Sequence, residues 1–301
     1  MIDIYPKVAM AGVDMVISKS NSNNSLPRAN FIRDSLCCPD CGAKLGETAC
    51  ASCGRPVVRK GKQIQFVNVQ IKTTDAKFQA NTQNRSSLTG NIFHFGQSVV
   101  SSEFQPINHL KRFLAAADGF GVELGSGSRR LGQRLINIDL FPSPEVDVVA
   151  DIMHVPLIGE CVDYVILDSV IEHVPDPVAV ISEAHRILKP GGKLFINCPF
   201  MLPYHGYPAH YQNFTRDGLT HLLRNFRSTT VRPTFGPMSA LINMTAQTFA
   251  VMVGGERGFA YVVTKGLVLL PIFWLKYFDA IFIRLKRSHR ISGMLCALAK
   301  K

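Results

Sequence analysis

The chain has 301 residues, 47% of them apolar, and a formal net charge of +11 at pH 7. That length holds one ordinary α/β domain and a smaller module, and so large an apolar share excludes a wholly disordered chain. The charge invites nucleic acid or anionic lipid, yet it is uneven: residues 256–301 carry nine Lys/Arg against two acids, whereas residues 121–176 are acidic.

From the N-terminus, Asp3, Lys7 and Asp14 interrupt any apolar run, so no export signal is expected and the chain is predicted to be cytoplasmic. Residues 1–30 close on a polar tract at 18–24 and read as a flexible lead-in. Five of the eight cysteines follow within residues 37–53. Clustered pairs of this kind argue for metal in a reducing compartment rather than for disulfides. Cys38-Pro39-Asp40-Cys41-Gly42 and Cys50-Ala51-Ser52-Cys53-Gly54 repeat one five-residue pattern. Each is a tight knuckle turning two thiolates to one ion, and four thiolates satisfy a structural Zn²⁺ with no open position. The expected ligands are Cys38, Cys41, Cys50 and Cys53, with Cys37 a poorer-spaced alternative to Cys38. The module is placed at 31–72 with a strand over 63–71, and the polar stretch at 73–90 reads as a linker.

The remaining residues, 91–301, change pattern near position 119. Short apolar runs at 120–124, 134–139, 146–150, 162–168 and 193–198 predict buried parallel strands. A helix over 178–189 puts Val180, Ile181, Ala184, Ile187 and Leu188 on one face. Thr215 caps a further helix bearing Leu219, Leu222, Leu223 and Phe226. Strands alternating with helices predict a doubly wound sheet whose ligand crevice lies beyond the strands' carboxyl ends.

The predicted strand ends carry the chemistry. Glu123-Leu124-Gly125-Ser126-Gly127 is an acid-x-Gly-x-Gly element, its glycines allowing a sharp bend and close approach to a ligand. Asp139 ends the next strand, where a carboxylate accepts ribose hydroxyls. Asp151 ends the third, and Asp168 ends the fourth, running into Ser169-Val170-Ile171-Glu172-His173-Val174. With Arg186-Ile187-Leu188-Lys189-Pro190-Gly191-Gly192 before the fifth strand, the order of motifs over 119–232 resembles the class I methyltransferases that use S-adenosylmethionine (SAM). The resemblance implies an α/β, Rossmann-like, doubly wound seven-stranded sheet. It implies that Glu123, Gly125 and Gly127 hold the methionine end, Asp139 the ribose, Asp151 with Ile152 the adenine, and that Asp168 lies under the sulfonium. Residues 35–67 are similar to small zinc-ribbon modules that activate or precede methyltransferases. One departure stands out. Gly125 and Asp139 are fourteen residues apart, where a dinucleotide fold takes about twenty, so the first crossover helix is expected to be a turn or two at most. An NAD site needs G-x-G-x-x-G, and Arg130 stands where its last glycine belongs.

After the fifth strand, residues 198–215 hold three prolines, two histidines and five aromatics, suited to a substrate wall. His205, His210 and, after the fourth strand, His173 are the candidates to take a proton from an acceptor; the alternative is that the first two only hydrogen-bond within the loop. The segment resembles a loop of bacterial methyltransferases of sugar and cell-surface metabolism, with His210 replacing its aspartate and Asn213 its arginine. Cys198 at an apolar strand end reads as a core cysteine rather than a nucleophile. Residues 237–290 form an apolar and basic insertion. The longest uncharged run around Pro271, 266–275, is too short for a spanning helix, leaving a lid over the pocket or a helix lying on an anionic membrane. Residues 291–300 read as the closing strand. The expected activity is methyl transfer from SAM to an oxygen or nitrogen of a small molecule, such as a sugar or lipid-linked intermediate, with peripheral membrane contact. The rivals are an RNA methyltransferase docking through the zinc ribbon and a catalytically silent scaffold.

Overall fold

A computed structural model describes residues 25–67, 101–206, 209–255 and 258–301. The polar tract at 18–24 and the linker at 73–90 lie outside the described residues. In chain order the elements are α1 (Ser25–Ser35), the hairpin β1 (Val58–Lys60) and β2 (Gln63–Gln65), α2 (His109–Ala115), β3 (Gly121–Leu124), β4 (Leu135–Asp139), β5 (Val148–Val149), β6 (Val162–Asp168), α3 (Pro177–Ile187), β7 (Leu188–Pro199), α4 (Arg216–Leu222), β8 (Ser228–Phe235), α5 (Pro237–Gly254), α6 (Phe259–Ile272), α7 (Asp279–Phe282) and β9 (Met294–Lys300).

The strands form one sheet in the order β1-β2-β5-β4-β3-β6-β7-β9-β8. From β2 to β7 every pairing is parallel, and β9 runs antiparallel between β7 and β8. The chain leaves the centre at β3, winds out through β4 and β5, then returns to β6 on the other side. The crevice between β3 and β6 is therefore the topological switch point where such sheets take ligands. Local signals behave as read: Thr215 accepts from the Gly218 N–H at 3.0 Å, and Val180, Ile181, Ala184 and Ile187 are the buried face of α3.

The expected seven-stranded sheet is present as β3 to β9, and two further strands extend it to nine, because β2 pairs in parallel with β5, Ile64 beside Val148. That pairing satisfies groups on an otherwise bare edge: Ile64 N–H donates to Asp147 O at 3.0 Å and Phe66 N–H to Val149 O at 2.8 Å. Two other expectations are corrected. The cysteine module is accordingly no separate body; Leu36, Val57, Ile64 and Phe66 share one core with Ile136, Ile138 and Val148. Nor does the lead-in run to residue 30, since α1 begins at Ser25. Phe31 stacks on Phe120 with ring centroids 4.4 Å apart, and Ile32 enters the same core.

Residues between β3 and β4 form turns and no helix, which accounts for the short spacing between Gly125 and Asp139. Arg130 braces this segment, donating to Glu145 Oε2 at 2.9 Å, Leu135 O at 3.0 Å and Asp147 Oδ1 at 3.0 Å. α1 packs on β4 instead, so a helix from before the knuckles contributes cover where the crossover supplies none.

Candidate functional site

The four cysteine sulfurs of Cys38, Cys41, Cys50 and Cys53 lie within 4.8 Å of one another. Gly42 and Gly54 hold φ at +71° and +73°, so each knuckle closes through a left-handed glycine whose N–H donates to the carbonyl of Cys38 or Cys50. Cys37 stands apart: its N–H donates to Pro156 O at 3.1 Å, and burial pushes its thiol up. The cluster is compatible with one metal ion held by two knuckles.

At the switch point Asp139 closes the glycine loop onto its strand. Its Oδ2 accepts from Gly127 N–H at 2.7 Å and its Oδ1 from Phe141 N–H at 2.8 Å. Gly125 and Gly127 have φ of +75° and +62°. A Cβ on Gly125 would come within 2.6 Å of Val170, so the loop's approach to the residues after β6 requires glycine twice over. Asp151 follows β5 and accepts from Met153 N–H at 2.9 Å, with Ile152 buried beside it. Ser169, just past Asp168, is left-handed at φ +57°, strain of the kind that gathers at functional sites.

The methionine-end carboxylates have a partner that sequence reasoning missed. Arg129 reaches Glu123 Oε1 from Nε at 3.0 Å and from Nη2 at 2.7 Å, and the same Nη2 lies 2.7 Å from Asp168 Oδ2. Both carboxylates are almost wholly buried. Burial pushes Glu123 up to about 7 against the pull of the guanidinium. Burial alone would lower Arg129; Asp168 and Glu123 outweigh it and raise it. Asn137 Nδ2 donates to Arg129 O at 2.7 Å and Asn197 Nδ2 to Asp168 Oδ1 at 2.9 Å, which fixes both ends of the bridge.

The residues present fit SAM. Carboxylates end consecutive strands around a glycine loop, buried Glu123 Oε2 and Ser126 Oγ lack a hydrogen-bond partner among the described residues, and the inner carboxylates already hold a cation. At that inner end Arg129 has to yield to a ligand's positive charge.

The three histidines converge, though not as equals. His210 accepts from His205 N–H at Nδ1 (3.1 Å), so its Nε2 carries the hydrogen and donates to Asn213 Oδ1 at 2.7 Å. Both ring nitrogens are engaged inside the loop, the alternative that sequence reading left open; the His210 and Asn213 departures from the resembled loop thus answer each other. His173 Nδ1 bonds Ala209 O at 2.5 Å and His205 Nδ1 bonds Pro203 O at 3.0 Å. Their Nε2 atoms lie 3.9 and 3.8 Å from one oxygen of Glu172. Glu172 is completely buried, and burial raises its pKa against the opposing effect of His205. Sequence reading assigned it no role. The signal was an acid inside the apolar string Val170-Ile171-Glu172-His173-Val174, since a carboxylate is seldom buried without a partner. Cys198 is buried, with its pKa raised well above the ordinary value by burial, as a core cysteine should be.

Between β8 and β9 lies the insertion. Its foot is anchored by Asp279, whose carboxylate accepts from Met238 N–H and Ser239 N–H, both at 2.9 Å, at the start of α5. Ile242, Ala246 and Ala250 are buried at every fourth position along α5, and a Cβ on Gly254 would come within 2.6 Å of the Tyr261 backbone. The two helices meet closely; their outer surfaces are left exposed by the described residues. Phe259 is 86% exposed, Met252 80%, Val253 72% and Leu267 65%. The stretch Phe259–Phe282 is long and apolar enough to cross a membrane by length and composition, with 17% of its most apolar window buried. A lid packed over the crevice would be mostly covered. Exposed Arg284, Lys286, Arg287 and Arg290 follow it.

Sheet order, switch-point crevice and motif spacing define a Rossmann-like methyltransferase fold, and residues 107–196 match the family model described as a methyltransferase domain. An uncharacterised 37.1 kDa protein of a Streptomyces fradiae transposon is 30% identical over 132 residues, covering 43% of this chain and 37% of that protein. The ubiquinone biosynthesis O-methyltransferase of Xanthomonas axonopodis pv. citri is 35% identical over 116 residues, covering 33% of this chain and 46% of that one. The chain thus spans less than half the length of these two curated relatives. Among solved structures, a SAM-dependent methyltransferase from Thermotoga maritima, described as a possible histamine N-methyltransferase, aligns with 70% of this chain and 95% of its own at 18% identity and a TM-score of 0.41.

Proposed function

We propose that the protein transfers the methyl group of SAM to an oxygen or nitrogen of a small, lipid-linked acceptor, working as a cytoplasmic enzyme at a membrane surface. The observation that carries the reading is the crevice itself: the Gly125–Gly127 loop closed by Asp139, with Asp151 one strand further out, inside the segment that matches a methyltransferase domain. Asp139 would hold the ribose, Asp151 and Ile152 the adenine, and Glu123 the methionine end once Arg129 moves aside. Bound SAM supplies an electrophilic methyl carbon. The chain's part is alignment: the loop at 198–215 and the Glu172 cluster wall the acceptor side next to Asp168, and orientation alone can carry much of such a step.

The lipid-linked acceptor is supported by two independent features. Relatives include ubiquinone biosynthesis O-methyltransferases and a demethylmenaquinone methyltransferase. The α5–α6 hairpin, apolar on its outer surfaces and followed by a basic cluster, suits an anionic bilayer: apolar area enters the acyl boundary and each surface cation adds about 1 kcal/mol. The cysteine cluster takes a structural Zn²⁺, four thiolates leaving no position for chemistry. One observation favours a second reading, a silent scaffold: the Arg129 bridge already fills the inner end of the crevice.

Calorimetric titration of the zinc-loaded protein with S-adenosylhomocysteine, beside Asp139→Ala, decides between them. Micromolar binding to the wild type, weakened at least tenfold in the variant, is expected. No binding to folded wild type sinks the methyltransferase reading and leaves the scaffold.

A further inference from the structure

We propose that Glu172, His173 and His205 form a binding site for one divalent transition-metal cation, whose remaining positions take an oxygen of the methyl acceptor. Three ligand atoms, one from each residue, lie within 4.8 Å of one another. They come from two segments brought together by the fold: the turn after β6 supplies Glu172 and His173, and the loop after β7 supplies His205. Tyr211 N–H donates to Glu172 O at 2.8 Å and ties that loop to that turn.

Tautomers decide the character of the site. A carbonyl oxygen only accepts, so the bonds of His173 Nδ1 to Ala209 O and of His205 Nδ1 to Pro203 O put the ring hydrogen on Nδ1 in both residues. In the neutral rings the lone pairs then sit on Nε2, and both Nε2 atoms face the same carboxylate oxygen. Backbone carbonyls that fix the Nδ1–H are the usual outer support of metal-ligating histidines. At 3.8 and 3.9 Å neither contact is a hydrogen bond. Neither Glu172 oxygen has a hydrogen-bond partner among the described residues, although the side chain is fully buried. A buried carboxylate faced by two nitrogen lone pairs calls for positive charge at their meeting point. Two ligands each about 2.1 Å from a tetrahedral ion stand about 3.4 Å apart, so each imidazole has roughly half an ångström to close on the carboxylate oxygen. Two imidazoles and one carboxylate suit first-row divalent ions and leave positions open. Protonation of one imidazole would answer the same charge, and the experiment separates the two.

The protein, reconstituted with a single equivalent of Zn²⁺ so that only the four thiolates are filled, is titrated with Mn²⁺, free Mn²⁺ being read by electron paramagnetic resonance. Mn²⁺ prefers nitrogen and oxygen ligands, so the four thiolates do not compete for it. One Mn²⁺ per chain with a micromolar Kd is expected, weakened at least tenfold in Glu172→Gln and in His205→Asn at unchanged unfolding temperature. Absence of binding below millimolar Mn²⁺, or equal binding by wild type and variants, overturns the site in favour of a proton. Glu172→Gln keeps the shape of a buried side chain, and His205→Asn lies on a partly exposed loop, so one stands if the other fails to fold. The acceptor role rests on the methyl-transfer reading, whereas the ion's binding does not. Mn²⁺ retained with S-adenosylhomocysteine binding absent would sink that reading alone.

Discussion

Two additions flank the same sheet and treat their apolar residues in opposite ways. The knuckle hairpin at the β5 edge sinks Leu36, Val57, Ile64 and Phe66 into the common core. The α5–α6 hairpin, inserted between β8 and β9, keeps Met252, Val253, Phe259 and Leu267 outside it. Each is held at its foot by polar contacts, Gln63 Nε2 on Val146 O at 3.1 Å for one and Asp279 on α5 for the other. Apolar surface that a fold buries is there for stability, and apolar surface that it anchors yet leaves bare is there for contact with something else.

The contrast is sharpest under metal removal. With the proposed zinc in the four-cysteine cluster, its chelation, or Cys50→Ser, should unpin β2 and uncover core, so the unfolding temperature should fall by about 10 °C or more in calorimetry. A fall of a degree or two would make the module an appendage after all. Next in size is Arg129→Ala, which strips the shared cation from two buried carboxylates. Because the guanidinium is itself 37% exposed, water relieves part of the 3–5 kcal/mol of a sealed site, leaving about 2–3 kcal/mol in urea unfolding. Saturating SAM should restore more stability to this variant than it adds to wild type, and an equal gain would show that cation and ligand do not share the site. On the other flank, Leu267→Asp with Phe259→Ser should cut binding to anionic vesicles about tenfold and move the unfolding temperature by no more than about 1 °C. A large thermal loss there would turn the hairpin into core.

The smallest effect concerns charge. Glu123 titrates at about 7 because burial raises it, so the crevice gains a negative charge as pH climbs from 6 to 8. The affinity of cationic SAM relative to neutral S-adenosylhomocysteine should rise about threefold over that range. In Glu123→Gln the ratio should stay flat; a ratio flat in wild type as well would remove Glu123 from the methionine end.

What could be read from the chain divides along the same line between local and distant causes. β3, β4 and β6 were legible because strands buried on both faces leave near-continuous apolar runs, and α3 because Val180, Ile181, Ala184 and Ile187 keep helical spacing. α1 was not: Phe31, Ile32 and Leu36 are too few among polar neighbours to mark a face, and its partner β4 lies far along the chain. Arg129 carried no signal, since nothing adjacent in sequence says that Asp168 would meet it. Glu172 and His205 are likewise 33 positions apart, and only the return of the β7 loop makes them neighbours. The insertion stayed undecided between lid and surface because a helix apolar all round has no periodicity to say which side faces protein.

The docking of α1 on β4 also has a history in time. The helix leaves the ribosome before β4, and Ile32 and its core neighbours Ile136 and Ile138 are roughly a hundred residues apart, a loop that must close before either side is covered. Until then the nascent sheet carries a bare face and the helix has nothing to rest on, so this contact belongs to the late, slow part of folding. A chain begun at residue 107, where the family match begins, never completes it.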